Sequence, residues 1–491
     1  MSPARRLSKS KYVAGQQCHR LLWWQVHEPD APELVPDASA RAVMDQGSRV
    51  GALARTYVPG GTLIDVPYDR YEAKLAATSA ALAARAPAVY EASFSAGGIF
   101  VAVDILERLG EDHGLIEVKS STKVKPEHLP DAAVQAHVLA QSGLEVRRVE
   151  VMHLNRACTF PDLSDLFTRT DVTTDVATLL PEVPTQVRQL LRMLEADLPE
   201  VPIGSHCSDP RECPFVSRCW AEVPDDHVTT LFRIGKKAWD LEAQGFGTIR
   251  SLPANLKLNG PAERQRRAVV TGGPVVEPTL RDALRAFEPP LAFLDFETIN
   301  PAVPVWNGCH PYDNIPVQFS CHRLWGDGRL THEFWLADGS NDPRPGIAAA
   351  LVEACAGAGA IVAYNASFEV TCLRTLAAAL GGRLAHALHD IEHRIVDLLP
   401  TVRDHVYHPA FGGSFSLKSV LPALVAGLSY EGMEIAEGGT ASTELQRLIL
   451  QGDILTADER SRLREALLRY CEMDTRATVE LLERLRALAG S

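Results

Sequence analysis

Three short stretches in the C-terminal half carry acids in an order suited to divalent-cation chemistry. They are Phe293-Leu-Asp295-Phe-Glu297-Thr298, Tyr364-Asn365-Ala-Ser-Phe368-Glu369 and Tyr470-Cys-Glu-Met-Asp474. Asp295, Glu297, Glu369 and Asp474 could hold two divalent cations, with the Tyr470 hydroxyl one helical turn from the last acid. A second set lies in the N-terminal half, where Asp104 in Phe100-Val-Ala-Val-Asp104-Ile is followed by Leu115-Ile-Glu117-Val-Lys119. A third is made of thiols: Cys207, Cys213 and Cys219, with five residues between each pair, and the remote Cys18. Four thiolates could close a tetrahedral zinc or an iron–sulfur site. Zinc usually draws on tighter pairs, so wide spacing with one remote ligand favours a cluster that staples the ends of a domain.

These groups need particular elements to position them. On a strand, Asp295 and Glu297 share one face behind the apolar Leu291-Ala-Phe-Leu294. Glu369 opens a helix on which Cys372, Leu373, Leu376 and Leu380 recur at helical spacing. Asp474 lies on a longer helix, on the stripe Leu463, Leu467, Tyr470, Asp474, Ala477, Leu481 that should face a core. A carboxylate there is costly unless a cation pairs with it. The run from Ala348 to Tyr364 reads as a helix and then the strand leading into the second acid motif. In the N-terminal half, Phe94 to Glu107 reads as a hairpin preceded by Glu91. Glu117 and Lys119 share a face of the next strand, and a helix with Gln135 near its start follows. Thr456 and Glu459 are spaced as a capping box for the final helix.

At 491 residues the chain should hold two or three domains. Its 46% hydrophobic and 23% charged residues suit a water-soluble globular protein. The first ten residues have no apolar stretch for a signal peptide, and no run suits a membrane span, so a cytoplasmic protein without membrane contact is expected. A net charge of −13 disfavours global attraction to polyanions, but acidic sites recruit metal and phosphate binding is local. The basic groups Arg5, Arg6, Lys9 and Lys11; Lys119, Lys123 and Lys125; Lys236 and Lys237; and Arg264, Arg266 and Arg267 read most simply as solvated faces. Cys158, Cys309, Cys321, Cys355, Cys372 and Cys471 read as small core residues.

The three C-terminal motifs resemble those of the DnaQ-like 3′→5′ exonucleases of the RNase H-like superfamily, in the subgroup whose third motif carries tyrosine (DEDDy). The resemblance covers about residues 290–489. It implies that Asp295, Glu297, Glu369 and Asp474 bind two Mg²⁺ or Mn²⁺ ions and that Tyr470 helps position the attacking water. Glu369 stands where the family usually has Asp, and Arg469 stands where the histidine subgroup would have His.

Residues 1–222 resemble the RecB-like iron–sulfur nucleases of the PD-(D/E)xK class, which include CRISPR-associated and AddB types. The shared features are the opening Leu7-Ser-Lys-Ser-Lys-Tyr12, Cys18, the Asp and Glu-x-Lys pattern, and the clustered cysteines. The resemblance implies Asp104 and Glu117 as metal ligands, Lys119 as the catalytic lysine and Gln135 as the helix residue of the last motif. It also implies a 4Fe–4S cluster on Cys18, Cys207, Cys213 and Cys219. Three features depart from the family. Gly51 stands where its metal-binding histidine belongs, Leu139 replaces a tyrosine, and five residues rather than two separate Cys207 from Cys213.

Between them, residues 223–289 form a connector. Leu231 to Leu252 reads as two short helices about a glycine turn, resembling a helix-hairpin-helix, and prolines from Pro274 to Pro290 close it. The expectation is an α/β protein: an N-terminal PD-(D/E)xK restriction-endonuclease-like domain with an iron–sulfur staple, then an RNase H-like mixed sheet flanked by helices over 290–491. It would be a metal-dependent nuclease acting on single-stranded or duplex DNA ends, with RNA as an alternative, in repair or phage defence. The rival from another class is a nucleic-acid-binding scaffold with inactive sites and a structural cluster.

Overall fold

The computed structural model describes residues 6–490, a mixed α/β chain. Arg5, from the first basic group, lies outside the described residues. Two compact units emerge: Met1–Glu222 with Ala302–Tyr312, and Val223–Pro301 with Asp313–Ser491. The stretch 223–289 falls within the second unit, and residues 302–312 fall within the first. Among the described residues no helix is long and apolar enough to cross a membrane.

In the first unit, among the described residues, one sheet has seven strands. In spatial order they are Thr62–Leu63, Ala88–Ala96, Ile99–Leu109, Asp112–Lys119, Val146–Leu154 and Phe167–Asp171, with Leu7–Ser8 parallel to Ile99–Leu109. The hairpin begins at Ala88 and turns on Gly97 and Gly98, whose φ values of 59° and 86° suit glycine alone. Asp112–Lys119 pairs parallel with Val146–Leu154, and the crossover between them carries helix His128–Gln141. That helix is apolar nearly all round, with Ala132, Ala133, Val134, Val138 and Leu139 buried. Gln135 sits in its middle, not near its start, and is itself fully buried.

The second unit holds a five-stranded sheet in the order Leu330–Leu336, Ile315–Leu324, Leu291–Ile299, Ala360–Ala363, Ile395–Asp397. The first three strands are antiparallel neighbours and the last two join in parallel. Leu291–Ile299 is central, and its period-2 alternation feeds two cores. Leu291 and Phe293 pack with Leu481, Leu482 and Leu485, while Ala292, Leu294 and Phe296 pack with Leu351, Leu373 and Leu376. Helix Ala457–Gly490 supplies the first of those partners and lies against both Leu291–Ile299 and Ile315–Leu324. Its start is closed reciprocally: Glu459 N donates to Thr456 Oγ1 at 3.2 Å and Thr456 N donates to Glu459 Oε2 at 2.9 Å.

In the connector, the expected pair of short helices is one helix, Lys237–Ala243, and a single 3₁₀ turn, Ile249–Ser251, about Gly245. Thr248 and Ser251 cap that turn reciprocally, and Pro253 then forces Leu252 into the extended region, so a second helix cannot propagate. Three basic groups are not simple solvated faces: Lys119, from the second, pairs with Glu117 and Asp131. Arg264 is buried and donates to the carbonyls of Arg403 and Asp404, and Lys9 is engaged inside the first unit.

Candidate active sites

In the second unit, all three acid motifs and Tyr470 line one pocket. Asp295 and Glu297 project from the same face of the central strand. Asp474 and Tyr470 are four residues apart on one side of the long helix. Glu369 enters from the first turn of helix Ser367–Leu380. The turn before it is set by Asn365, which takes φ 68° and donates its backbone N–H to Asp397 Oδ1 at 3.0 Å. Asn tolerates this left-handed conformation better than most residues. One ligand oxygen each from Asp295, Glu297 and Asp474 lies within 4.8 Å of the others. Glu369 is 3% exposed, and its Oε2 is buried without a hydrogen-bond partner.

These carboxyls repel one another in a poorly solvated pocket. Burial, then Asp474 and Glu297, push Asp295 well above the usual carboxylate range. Burial and Asp474 do the same to Glu297. Burial, with Asp397 and Asp474 adding, raises Glu369 from 4.5 to about 8, a cost to its charged form on the order of 5 kcal/mol. Burial lifts Asp474 to about 6, restrained by the Tyr430 hydroxyl, Lys418 and Tyr470. Three converging oxygens and the orphaned oxygen of Glu369 in the same pocket, none held in an ion pair among the described residues, are the donor set hard cations take. The residues therefore fit Mg²⁺ or Mn²⁺.

Two neighbours had no signal in the motifs, and a third, Cys471, lies inside one but reads as a core residue. Tyr430 donates its hydroxyl to Asp474 Oδ1 at 2.5 Å. Lys418 donates to Tyr470 Oη at 3.2 Å and lies 5.4 and 5.2 Å from the Tyr430 and Tyr470 ring centroids. Cys471 points its thiol at Asp295 Oδ2, 3.5 Å away. Lys418 sits in helix Leu417–Leu424, whose Ser416 cap is readable, but nothing in the chain around it marks a site.

The first unit gathers Asp104, Glu117, Lys119 and Gln135 as well, with two additions. Lys9 Nζ donates to both oxygens of Glu117 at 2.8 and 3.0 Å, and lies 3.7 Å from Asp131 Oδ1. Lys119 Nζ donates to Glu117 Oε1 at 2.7 Å and Asp131 Oδ2 at 2.5 Å. Gln135 Nε2 donates to Glu117 Oε2 at 2.7 Å. Asp104 Oδ2 accepts from Val118 N at 2.7 Å. Burial would raise Glu117, but Lys9 and Lys119 hold it well below the usual range. Burial, then Glu117, raises Asp104 to about 7. Both oxygens of Glu117 are thus taken by ammonium and amide donors, and this set does not fit a divalent cation while Lys9 stays in place. Glu91, at φ 57°, pairs with Arg55 at 2.8 Å. Lys9 follows the Ser8 cap of helix Lys9–Gln17, and its basic neighbours hid it among surface charges.

Cys18, Cys207, Cys213 and Cys219 line one cavity with Leu21 and Trp24. Cys18 sits at the junction of helices Lys9–Gln17 and His19–His27. Gln17 Nε2 ties that junction to the cysteine loop by donating to His206 O at 2.8 Å and Arg211 O at 2.7 Å. Burial, with Cys18, Cys207 and Cys219 adding, pushes the Cys213 thiol up to about 11. Burial raises the Cys219 thiol as well, and four thiols lining one cavity fit a cationic iron–sulfur core, which would stabilise all four thiolates at once. The other six cysteines are buried.

Residues 292–416 match the family described as a domain of unknown function (DUF2779). That span contains Asp295, Glu297 and Glu369 and stops short of Lys418, Tyr470 and Asp474. No curated protein matches the chain.

Proposed function

We propose that the second unit is a metal-dependent phosphodiesterase, a 3′→5′ exonuclease on DNA ends with RNA as the alternative substrate. One observation carries this reading: four acids from three distant stretches line one pocket, one of them with an orphaned oxygen and none held in an ion pair among the described residues. The strand order, with the acid pair on the central strand, supports the RNase H-like assignment. Mg²⁺ or Mn²⁺ held by Asp295, Glu297, Glu369 and Asp474 would polarise the phosphodiester and lower the pKa of water. Tyr470, its hydroxyl fixed by Lys418, would orient the attacking water. Lys418 and Arg233 place positive charge on the pocket wall, where a nucleic-acid phosphate would meet it.

For the first unit we propose the 4Fe–4S cluster on the four cysteines as a structural staple. The doubly lysine-bound Glu117 favours an ion-pair core there over an active nuclease site, in part the scaffold alternative. The test is degradation of end-labelled single- and double-stranded DNA and RNA by the full chain, with Mg²⁺ or Mn²⁺ against chelator. Shortening from the 3′ end that needs metal and Asp295 is expected. Absence of metal-dependent degradation on every end would overturn the exonuclease reading.

A further inference from the structure

A second cluster of metal-ligating side chains stands apart from the acid pocket. His322 and His332 face each other directly across the strands Ile315–Leu324 and Leu330–Leu336, with rings stacked at 4.4 Å. Glu472, from the long helix, completes the group: one ligand atom from each of the three lies within 4.8 Å of the others.

The hydrogen bonds behind the rings decide which nitrogens carry lone pairs. Thr475 Oγ1 donates to the carbonyl of Glu472 at 3.1 Å, which uses its only proton. Ser320 Oγ, 2.7 Å from Thr475 Oγ1, must then donate to it. His322 Nδ1, 2.8 Å from Thr475 Oγ1, must donate as well. With its own proton spent, Ser320 Oγ can only accept from His332 Nε2 at 2.9 Å. Only this arrangement satisfies all four bonds, and it leaves the lone pairs on His322 Nε2 and His332 Nδ1. The latter is the atom 3.7 Å from Glu472 Oε1. Ligating histidines characteristically donate their other ring N–H to a fixed acceptor, which sets tautomer and orientation.

We propose that His322, His332 and Glu472 form a further metal site, taking one divalent transition-metal ion of the zinc type with water in the remaining position. Bonds of about 2.1 Å in tetrahedral geometry separate ligands by about 3.4 Å, against 3.7 Å between His332 Nδ1 and Glu472 Oε1 and no more than 4.8 Å within the whole group. Two imidazoles and a carboxylate suit zinc rather than the magnesium expected of an all-oxygen pocket. The Glu472 side chain is 51% exposed, so the open side faces solvent. The site is independent of the reaction assigned to the neighbouring acids, although Ser320 pairs across the sheet with Asp295.

The test uses the full chain, equilibrated with Zn²⁺ in a large excess of Mg²⁺, with bound zinc measured by elemental analysis and X-ray absorption. Wild-type protein should retain one zinc equivalent more than His332→Gln and show imidazole scattering that this variant loses. Glu472→Gln, a surface change that leaves the relay intact, should weaken that zinc tenfold or more. Circular dichroism confirms that both variants fold. Equal zinc content and equal imidazole scattering in wild type and both folded variants would leave a hydrogen-bond relay only and overturn the site.

Discussion

Both units bury carboxylates beside a sheet, but they balance the charge in opposite ways. In the first, Lys9 and Lys119 surround Glu117 and Asp131, and the negative charge is neutralised by the chain itself. In the second, burial and mutual repulsion push the pKa values of Asp295, Glu297 and Glu369 up and burial raises Asp474, with Lys418 a nearby cation that lowers Glu297 and Asp474. The first burial supplies its own counter-charge, although Asp131 Oδ1 and Gln135 Oε1 keep no hydrogen-bond partner there; the second leaves its acids to protonation or to a cation. Residue type alone does not separate the two cases, because Asp and Glu appear in both.

The comparison breaks most sharply at the acids themselves. In the full chain, Asp295→Ala or Asp474→Ala should lower metal-dependent 3′ degradation at least a thousandfold in single-turnover assays. Tyr470→Phe should cost less, about ten- to a hundredfold, because the carboxylates remain. Equal losses for tyrosine and aspartate would remove the distinction between holding a cation and orienting water.

The cysteine cavity comes next. Protein purified without oxygen should be brown, with about four irons per chain. Cys213→Ala should bleach it and lower the melting temperature of the first unit by several degrees. Stoichiometric zinc without iron would replace the cluster with a single ion.

For the lysine-filled site, Lys9→Ala and Lys119→Ala should each destabilise the first unit by about 3–5 kcal/mol, since either leaves a buried carboxylate underpaired. Denaturant titration followed by a probe in that unit reads this. If Lys119→Ala instead leaves stability unchanged but abolishes a nuclease activity of the full chain, the lysine is catalytic and the contrast fails.

The last effect is in pH. Glu369 has a folded pKa of about 8 against an ordinary 4.5, so folding favours its protonated form. The resulting stability is fully present below about 4.5 and is lost as pH rises through 8. Without added divalent cation, calorimetry should show the second unit losing stability across that window. Mn²⁺ should flatten the slope, because it stabilises the charged form.

The acid site was legible where periodicity fixes direction. Spacing of two on a strand put Asp295 and Glu297 on one face, and spacing of four on a helix put Tyr470 beside Asp474. Lys418 and Tyr430 escaped because a short helix and a loop bring them in, and neither has a period long enough to read. Lys9 escaped for a different reason: among Arg6 and Lys11 it resembled a solvated charge, and only the parallel pairing of Leu7–Ser8 with Ile99–Leu109 carries it to Glu117. Gln135 was assigned to the helix but placed too near its start, because no capping residue marks where that helix begins. The histidine relay depends on a cross-strand register that single-strand patterning does not specify.

Direct Mn²⁺ binding is the sharpest test of a divalent-cation site in the acid pocket. Electron paramagnetic resonance titration of the full chain should show tight Mn²⁺ binding that Asp295→Asn and Asp474→Asn both remove while the protein stays folded. Unchanged Mn²⁺ affinity and stoichiometry in both folded variants would contradict it.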